Sequence, residues 1–391
     1  MRVLLVHNRY QYAGGEDAVF AAEGALLRQH GHEVVEYVDD NDRIDGINHL
    51  RLAVDTIWSR DAHARLRALI RERRPQVAHF HNTFPLISPA AYAACQAEGV
   101  AVVQTLHNYR LICPAANLFR DGRVCEDCLG RPLPWPGVRH ACYRGSRAQT
   151  AVAAAMLTTH RLRRTWQRDV DLYIALTEFS RQKLIAGGLP PEKCVVKPNF
   201  IEPDPGAKMT AGDFFLFVGR LTVDKGVRTL LQAWRSGLPP TRLHIAGDGP
   251  LVATVEEATV ATGIHFWGRI PQSAVLDQMH GARALVFPSE WYESFPVTIV
   301  EAFACGLPVI AARLGAMPEI VDDGRTGILF TPGDAKDLAA KVAWAWDHPT
   351  ELSRMGVEAR REYEAKYTAE ANYGLLKNIY ARTIRQAEGC C

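Results

Sequence analysis

The 391-residue chain has no run of eighteen or more apolar residues, so its sequence offers no membrane-spanning helix. Nor has it a marked charge excess: 45 Lys and Arg stand against 43 Asp and Glu, and a net charge of +2 makes no global case for a nucleic-acid partner. Residues 1–7 turn polar too soon for a secretory signal and read as the first strand of a sheet, in a protein expected to be cytoplasmic. A composition 48% hydrophobic and 23% charged excludes a disordered or fibrous chain. The two halves share no obvious sequence repeat. One absence is local: between residues 131 and 168 there are eight arginines and no acidic residue.

What is present is an alternation of short apolar runs with helical segments. In the first half, runs at 3–6, 32–38, 77–80, 100–106, 171–176 and 195–197 predict strands. Helical patterns at 16–29, 62–71, 90–96, 150–164 and from 178 lie between them. Residues 198–212, with three prolines and two glycines, read as a linker. The pattern then restarts, with strands at 214–218, 243–246, 264–267, 284–287, 309–311 and 328–330. Repeated β-α units predict an α/β fold of two doubly wound parallel sheets that bind ligands at the carboxyl ends of their strands. The expected domains are 1–200, with a Cys-rich insertion at about 109–145, and 206–367, followed by a final helix at 368–387.

The most informative stretch is WYESFPVTIVEAFACGLP, residues 291–308. A strand ending near Phe287 leads into it, and Pro296 is expected to open a helix that Cys305 and Gly306 close. Glu293 precedes that helix, and Glu301 lies five residues beyond Pro296, about 7.5 Å along the axis at ~1.5 Å per residue. Between the two acids, the unpaired N–H groups and positive dipole end of the helix favour a phosphate. An acid on each side of a phosphate site suits a diphosphate carrying hydroxyls at both ends, as a nucleotide-sugar does. Arg220 and Lys225, after the first strand of the second half, add two cations that a diphosphate would satisfy. Stabilised by that pair, a leaving diphosphate needs no catalytic metal. Gly14 and Gly15 follow the first strand, where glycines let the backbone approach a phosphate.

Glu293-Ser294-Phe295 and Glu301, eight residues apart and followed by Gly306-Leu307-Pro308, resemble glycosyltransferase family 4. Val218-Gly219-Arg220-Leu221 with Asp224-Lys225-Gly226, Gly247-Asp248-Gly249-Pro250 and Trp267-Gly268-Arg269-Ile270-Pro271 carry the same resemblance. It implies a retaining enzyme of the GT-B fold, two Rossmann-like domains facing a central cleft, with the last helix crossing back onto the first. Glu293, Ser294 and Phe295 are then expected at the donor sugar, Glu301 at the ribose, Arg220 and Lys225 at the diphosphate, and Arg269 and Ile270 at the base. Gly14 and Gly15 would face the donor diphosphate, and His107 the reacting sugar. The donor would be a UDP- or GDP-sugar, and the acceptor a saccharide or lipid-linked saccharide of polysaccharide biosynthesis. The family's retaining enzymes show no obvious protein nucleophile, and attack and departure are placed on one face of the sugar.

The insertion departs from the simplest pattern of that family. Cys113, Cys125, Cys128 and Cys142 form a four-thiol set around a CxxC turn, which fits a structural zinc; two disulfides or unconnected thiols are the alternatives. The basic segment 131–168 includes an apolar side, Met156, Leu157, Leu162 and Trp166, that is expected either to pack in a core or to rest on the inner face of a membrane. Two other functions share much of the motif set. A GT-B nucleotide-sugar epimerase would need an acid/base pair at the sugar, for which only Glu293 and His107 offer themselves. A non-catalytic scaffold would use the cysteine module to recruit a partner.

Overall fold

The computed structural model describes residues 1–11, 14–207, 212–235, 241–259 and 263–388; part of the expected linker, 208–211, lies outside them. Contacts divide the chain into two compact units. The first comprises Met1–Leu118, Glu126–Asn199 and the chain from Asn372; the second comprises Phe119–Cys125 and Phe200–Ala371.

The first unit is built on strands β1 (Arg2–Arg9), β2 (Glu33–Asp40), β3 (Val77–Asn82), β4 (Ala101–Leu106), β7 (Leu172–Ala175) and β8 (Cys194–Val196). All pair in parallel, in the order β2-β1-β3-β4-β7-β8. The short strands β5 (Phe119–Arg120) and β6 (Arg123–Val124) form an antiparallel ribbon in the insertion. Val3 to Val6 are all buried, because helices cover both faces of the sheet and leave no solvent side for an alternating pattern. The helix Gly15–Gln29 buries Val19, Phe20, Glu23, Leu26 and Leu27 along one stripe, so an acid sits among its core positions. The last helix, Ala369–Glu388, completes this core: Leu376, Ile379 and Tyr380 pack with Val3, Leu5, Val77 and Val103.

The second unit holds β9 (Phe214–Val218), β10 (Arg242–Ala246), β11 (Ile264–Gly268), β12 (Ala284–Phe287), β13 (Val309–Ala312) and β14 (Gly327–Phe330), ordered β11-β10-β9-β12-β13-β14 and again parallel. Strand order reverses direction beside β9 and β12, so the loops leaving those strands border the switch point where such sheets bind ligands. Among the elements not foreseen are the ribbon β5–β6 and the helices His49–Ile57 and Trp135–Arg139. The apolar side expected for 148–166 also divides. Met156, Leu157 and Trp166 belong to the core, and Leu162 alone is exposed. Among the described residues no helix is long and apolar enough to cross a membrane.

Candidate active site

In the second unit the loop after β9 is pressed against the loop after β12. Gly226 has φ 71°, and a Cβ there would lie 1.9 Å from the Pro288 carbonyl oxygen, so only glycine permits the approach. Glu290 N–H donates to the Asp224 carbonyl at 2.8 Å and locks the two loops together. This brings Lys225 to Glu293: Nζ donates to Oε1 at 2.7 Å, and Ser289 Oγ donates to the same oxygen at 2.8 Å. Glu293, Ser294 and Phe295 are buried. Lys225 also lies 5.2 Å over the Trp291 ring, whose buried Nε1–H has no hydrogen-bond partner among the described residues.

Arg220 is exposed, and its guanidinium has no hydrogen-bond or ion-pair partner among the described residues. The two cations expected to flank a diphosphate are therefore in different states: Lys225 is compensated by Glu293, and Arg220 is not. Pro296 is the cap of the following helix, which begins one residue later than expected, at Val297. The amides of Val297 and Ile299 donate to the carbonyls of Phe295 and Pro296, so two groups expected to face a phosphate are engaged. The helix closes as predicted at Cys305, with Gly306 N–H on the Phe303 carbonyl and Leu307 N–H on that of Ala302. Glu301 receives Gln272 Nε2–H at 2.7 Å, and burial raises its carboxyl above the usual range. Arg269 is exposed and Ile270 half-buried at the end of β11.

In the first unit His107 directly follows β4 and joins a buried polar network. Its Nε2 lies 3.0 Å from His81 Nδ1; His81 Nε2 lies 3.4 Å from Glu23 Oε2; Lys197 Nζ donates to Glu23 Oε1 at 2.5 Å. Burial alone would raise the Glu23 carboxyl, but Lys197 with His81 and His79 outweighs it and holds Glu23 well below the usual range. Burial, then the neighbouring His81, keeps His107 well below an ordinary histidine. At 3.4 Å neither His81 Nε2 nor Glu23 Oε2 makes a hydrogen bond among the described residues, so the firm contact of His107 is its Nε2 with His81 Nδ1, in which one ring donates and the other accepts. Glu23, His79 and His81 have ligand atoms within 4.8 Å of one another. Lys197 already occupies the charge of Glu23, and His79 Nδ1 is 2.7 Å from Tyr380 Oη, so these groups are better matched to protons than to a metal.

Gly14 caps the first helix, and its N–H is taken by Asp17 Oδ2 at 2.8 Å; a Cβ at Gly14 or Gly15 would meet no protein atom nearer than 4.0 Å. Neither glycine is demanded by the fold, and the amide expected to face a diphosphate is engaged. Beside them Tyr10 Oη donates to Glu16 Oε2 at 2.9 Å, and Asn108 Nδ2 lies 3.4 Å from it. Burial pushes the Glu16 carboxyl up to about 8. An open pocket next to this group is lined by His81, Thr83, Phe84, His107, Asn108 and Arg110.

Of the cysteines, Cys113 and Cys128 are buried, and Cys125 and Cys142 are half-buried. Pro114, Cys128 Sγ and the Cys142 amide all abut Gly137. Among the described residues no three of the four sulfurs come within 4.8 Å of one another, so their placement lends the zinc expectation no support.

Sequence reasoning missed Glu16, Glu23, Lys197 and Trp291. Glu23 carried a signal, an acid on a helix stripe otherwise apolar; Lys197, between two valines and a proline, carried a weaker one.

A family model described as Glycosyltransferase Family 4 matches residues 14–205, and one described as Glycosyl transferases group 1 matches 201–362. The sulfoquinovosyl transferase of Arabidopsis thaliana is 30% identical over 188 residues, 46% of this chain and 36% of that protein. A glycogen synthase of Mycobacterium tuberculosis is 33% identical over 177 residues, covering 44% and 42%. The chain thus spans less than half the length of these curated relatives. Among solved structures, sucrose-phosphate synthase of Thermosynechococcus elongatus superposes with TM-score 0.71 at 16% identity, over 98% of this chain and 99% of that one. HepE of Anabaena in complex with UDP and glucose does so with TM-score 0.68 at 17% identity, over 97% and 99%. With both family models placed end to end along it and the fold of these enzymes in both sheets, the chain belongs to glycosyltransferase family 4 and has the GT-B fold.

Proposed function

We propose that the protein moves a sugar from a UDP- or GDP-sugar to a saccharide or lipid-linked saccharide, with retention at C1 and without a catalytic metal. The observation that carries this reading is the unequal state of the cations beside β9: Lys225 is held by Glu293, and Arg220 has no anion among the described residues. A diphosphate completes that arrangement. The Trp291 N–H in the same loop, without an acceptor among the described residues, is a second group that a ligand would satisfy. As the nucleoside diphosphate leaves, Arg220 and Lys225 stabilise the growing charge, the task a metal would otherwise perform. Glu293 keeps its second oxygen for donor hydroxyls, and Glu301, steadied by Gln272, takes the ribose. His107, held by His81, faces the reacting sugar with its other ring nitrogen. The UDP and glucose bound by HepE support a UDP-sugar as donor.

The test is nucleotide release from UDP-, GDP-, ADP- and dTDP-sugars without acceptor, followed by analysis of the freed sugar. Slow release from one donor, with the sugar unchanged at every carbon except C1, is the expected result. A sugar inverted at another carbon would put an epimerase in its place. No release and no binding from any donor would leave only the scaffold.

A further inference from the structure

The pocket beside His107 is built from the first unit alone. Its empty space, open to solvent, is about 470 Å³, a volume that suits a small polar ligand. Thr83, Phe84, His107, Asn108 and Arg110 are among the residues around it. Among the described residues that line it there is no acid, and Arg110 is the single lysine or arginine.

Arg110 is fixed in place. Its guanidinium carbon lies 4.2 Å from the centre of the Phe84 ring and 4.8 Å from that of Tyr143, and one of its N–H groups donates to the Pro114 carbonyl. Its backbone N–H donates to Asn108 Oδ1 at 2.9 Å. Two rings and a carbonyl hold the group but bring no full negative charge. Among the described residues Arg110 has no ion-pair partner, and its remaining guanidinium N–H groups have no acceptor.

The acids nearby do not compensate it. Glu16 feels the charge of Arg110, but burial pushes its carboxyl up to about 8, so near neutral pH it is largely protonated. Asp17 is engaged by His7 Nε2 and by the Gly14 amide, each at 2.8 Å. Arg144 adds to the imbalance: its guanidinium lies 5.6 Å from the centre of the same Tyr143 ring, is exposed, and has no ion-pair partner among the described residues. Two guanidiniums gathered at one tyrosine repel each other, and an anion relieves both.

We propose that Arg110 selects an acceptor saccharide bearing an anionic group, a uronate carboxylate or a sugar phosphate, whose oxygens it takes while the sugar ring occupies the pocket beside His107. The planar guanidinium, held by Phe84 and Tyr143, presents a fork that matches two oxygens of either group. A neutral sugar leaves that fork and its charge unanswered. The inference rests on the sugar-transfer reading and adds to it the charge class of the acceptor. An Arg110 that merely staples the insertion to the sheet would cost stability on removal and give no preference for an anion.

The test titrates the full chain, without nucleotide-sugar, with methyl α-D-glucoside, methyl α-D-glucuronide and methyl α-D-glucoside 6-phosphate, read by ligand-detected NMR. At least one acidic glycoside is expected to bind the wild type about tenfold or more tighter than the neutral one, by an advantage that salt reduces. Preference for the glucuronide names a carboxylate, and preference for the 6-phosphate names a phosphate. Arg110→Gln is expected to lose the advantage and keep the affinity for the neutral glycoside; Arg110→Lys, with the charge but not the fork, is expected to keep part of it. Thermal unfolding is recorded for both, and should Arg110→Gln not fold, the wild type and Arg110→Lys decide. No binding of any glycoside, equal binding of all three, or an advantage that survives in folded Arg110→Gln overturns the proposal. Nucleotide release by the wild type without acceptor is measured alongside. Release without an anion preference overturns this inference and leaves sugar transfer standing; an anion preference without release from any donor removes sugar transfer, and with it the acceptor role of the pocket.

Discussion

Arg220 and Lys225 differ in what else they hold, and truncating each should show it. Arg220 is exposed and unpaired among the described residues, so Arg220→Ala should leave stability within about 0.5 kcal/mol of wild type. Donor turnover should fall on the order of 100-fold as the leaving diphosphate loses a partner. Lys225→Ala removes the charge partner of Glu293, a carboxylate only 5% exposed, and should cost both turnover and roughly 1–3 kcal/mol of stability. Thermal unfolding and nucleotide release on the two variants check this; equal stability losses would contradict it. His81 is a positioning residue, acting through His107. Replacing it in His81→Leu should let the His107 ring exchange tautomers, seen in its ¹⁵N shifts, and lower kcat about tenfold with little change in donor KM. Unchanged ¹⁵N shifts would mean that His81 does not set the tautomer.

At the scale of elements, the pairing of Lys225 with Glu293 rests on two loops meeting at one glycine. Gly226→Ala meets the Pro288 carbonyl at 1.9 Å and needs a left-handed backbone, so the loops must separate. A loss of about 2–4 kcal/mol is expected, with turnover reduced as in Lys225→Ala. Wild-type stability would show that the loop yields at no cost. The residues of this site were legible because one contiguous stretch, 291–308, carries the acids, the turn and the helix together. Strands were legible for a related reason: with both faces covered, β9 and β12 read as unbroken apolar runs. The helix His49–Ile57 was not, because Leu50 and Val54 face solvent and blur the stripe by which a buried helix is recognised. The engagement of the Val297 and Ile299 amides was equally hidden, since cap geometry depends on the turn that residues 294–296 adopt.

Across the whole molecule, the hardest feature to read was the polar core of the first unit, whose members come from positions 23, 79, 81, 107, 197 and 380. No local pattern joins residues so far apart; only the folded sheet and the last helix do. That core, with Glu16 beside it, sets how stability varies with pH. Burial lowers His7 to about 4, and it also lowers His79, His107 and His160. A histidine lowered in the folded state binds its proton more readily when unfolded, so stability is complete above pH 6.5 and is lost as pH falls toward 4. His7 alone, moved from 6.5 to about 4, accounts for roughly 3 kcal/mol when both states are titrated. Glu16 runs the other way: raised from 4.5 to about 8, it binds its proton more readily when folded, so its contribution falls as pH rises from 4.5 to 8. Between pH 4.5 and 6.5 the several histidines outweigh the carboxyls that burial raises, Glu16 and Glu301 among them, and above 6.5 Glu16, raised furthest, carries most of the opposing fall. The melting temperature should therefore peak near pH 6.5, with a steep acid side and a shallower fall toward pH 8. Glu16→Gln carries no ionisable group and should flatten the alkaline side while leaving the acid side in place. Melting curves of both proteins from pH 4 to 9 decide the matter: an alkaline fall that survives in Glu16→Gln would remove Glu16 as its source, and a peak below pH 5 would contradict the neutral state assigned to the buried histidines.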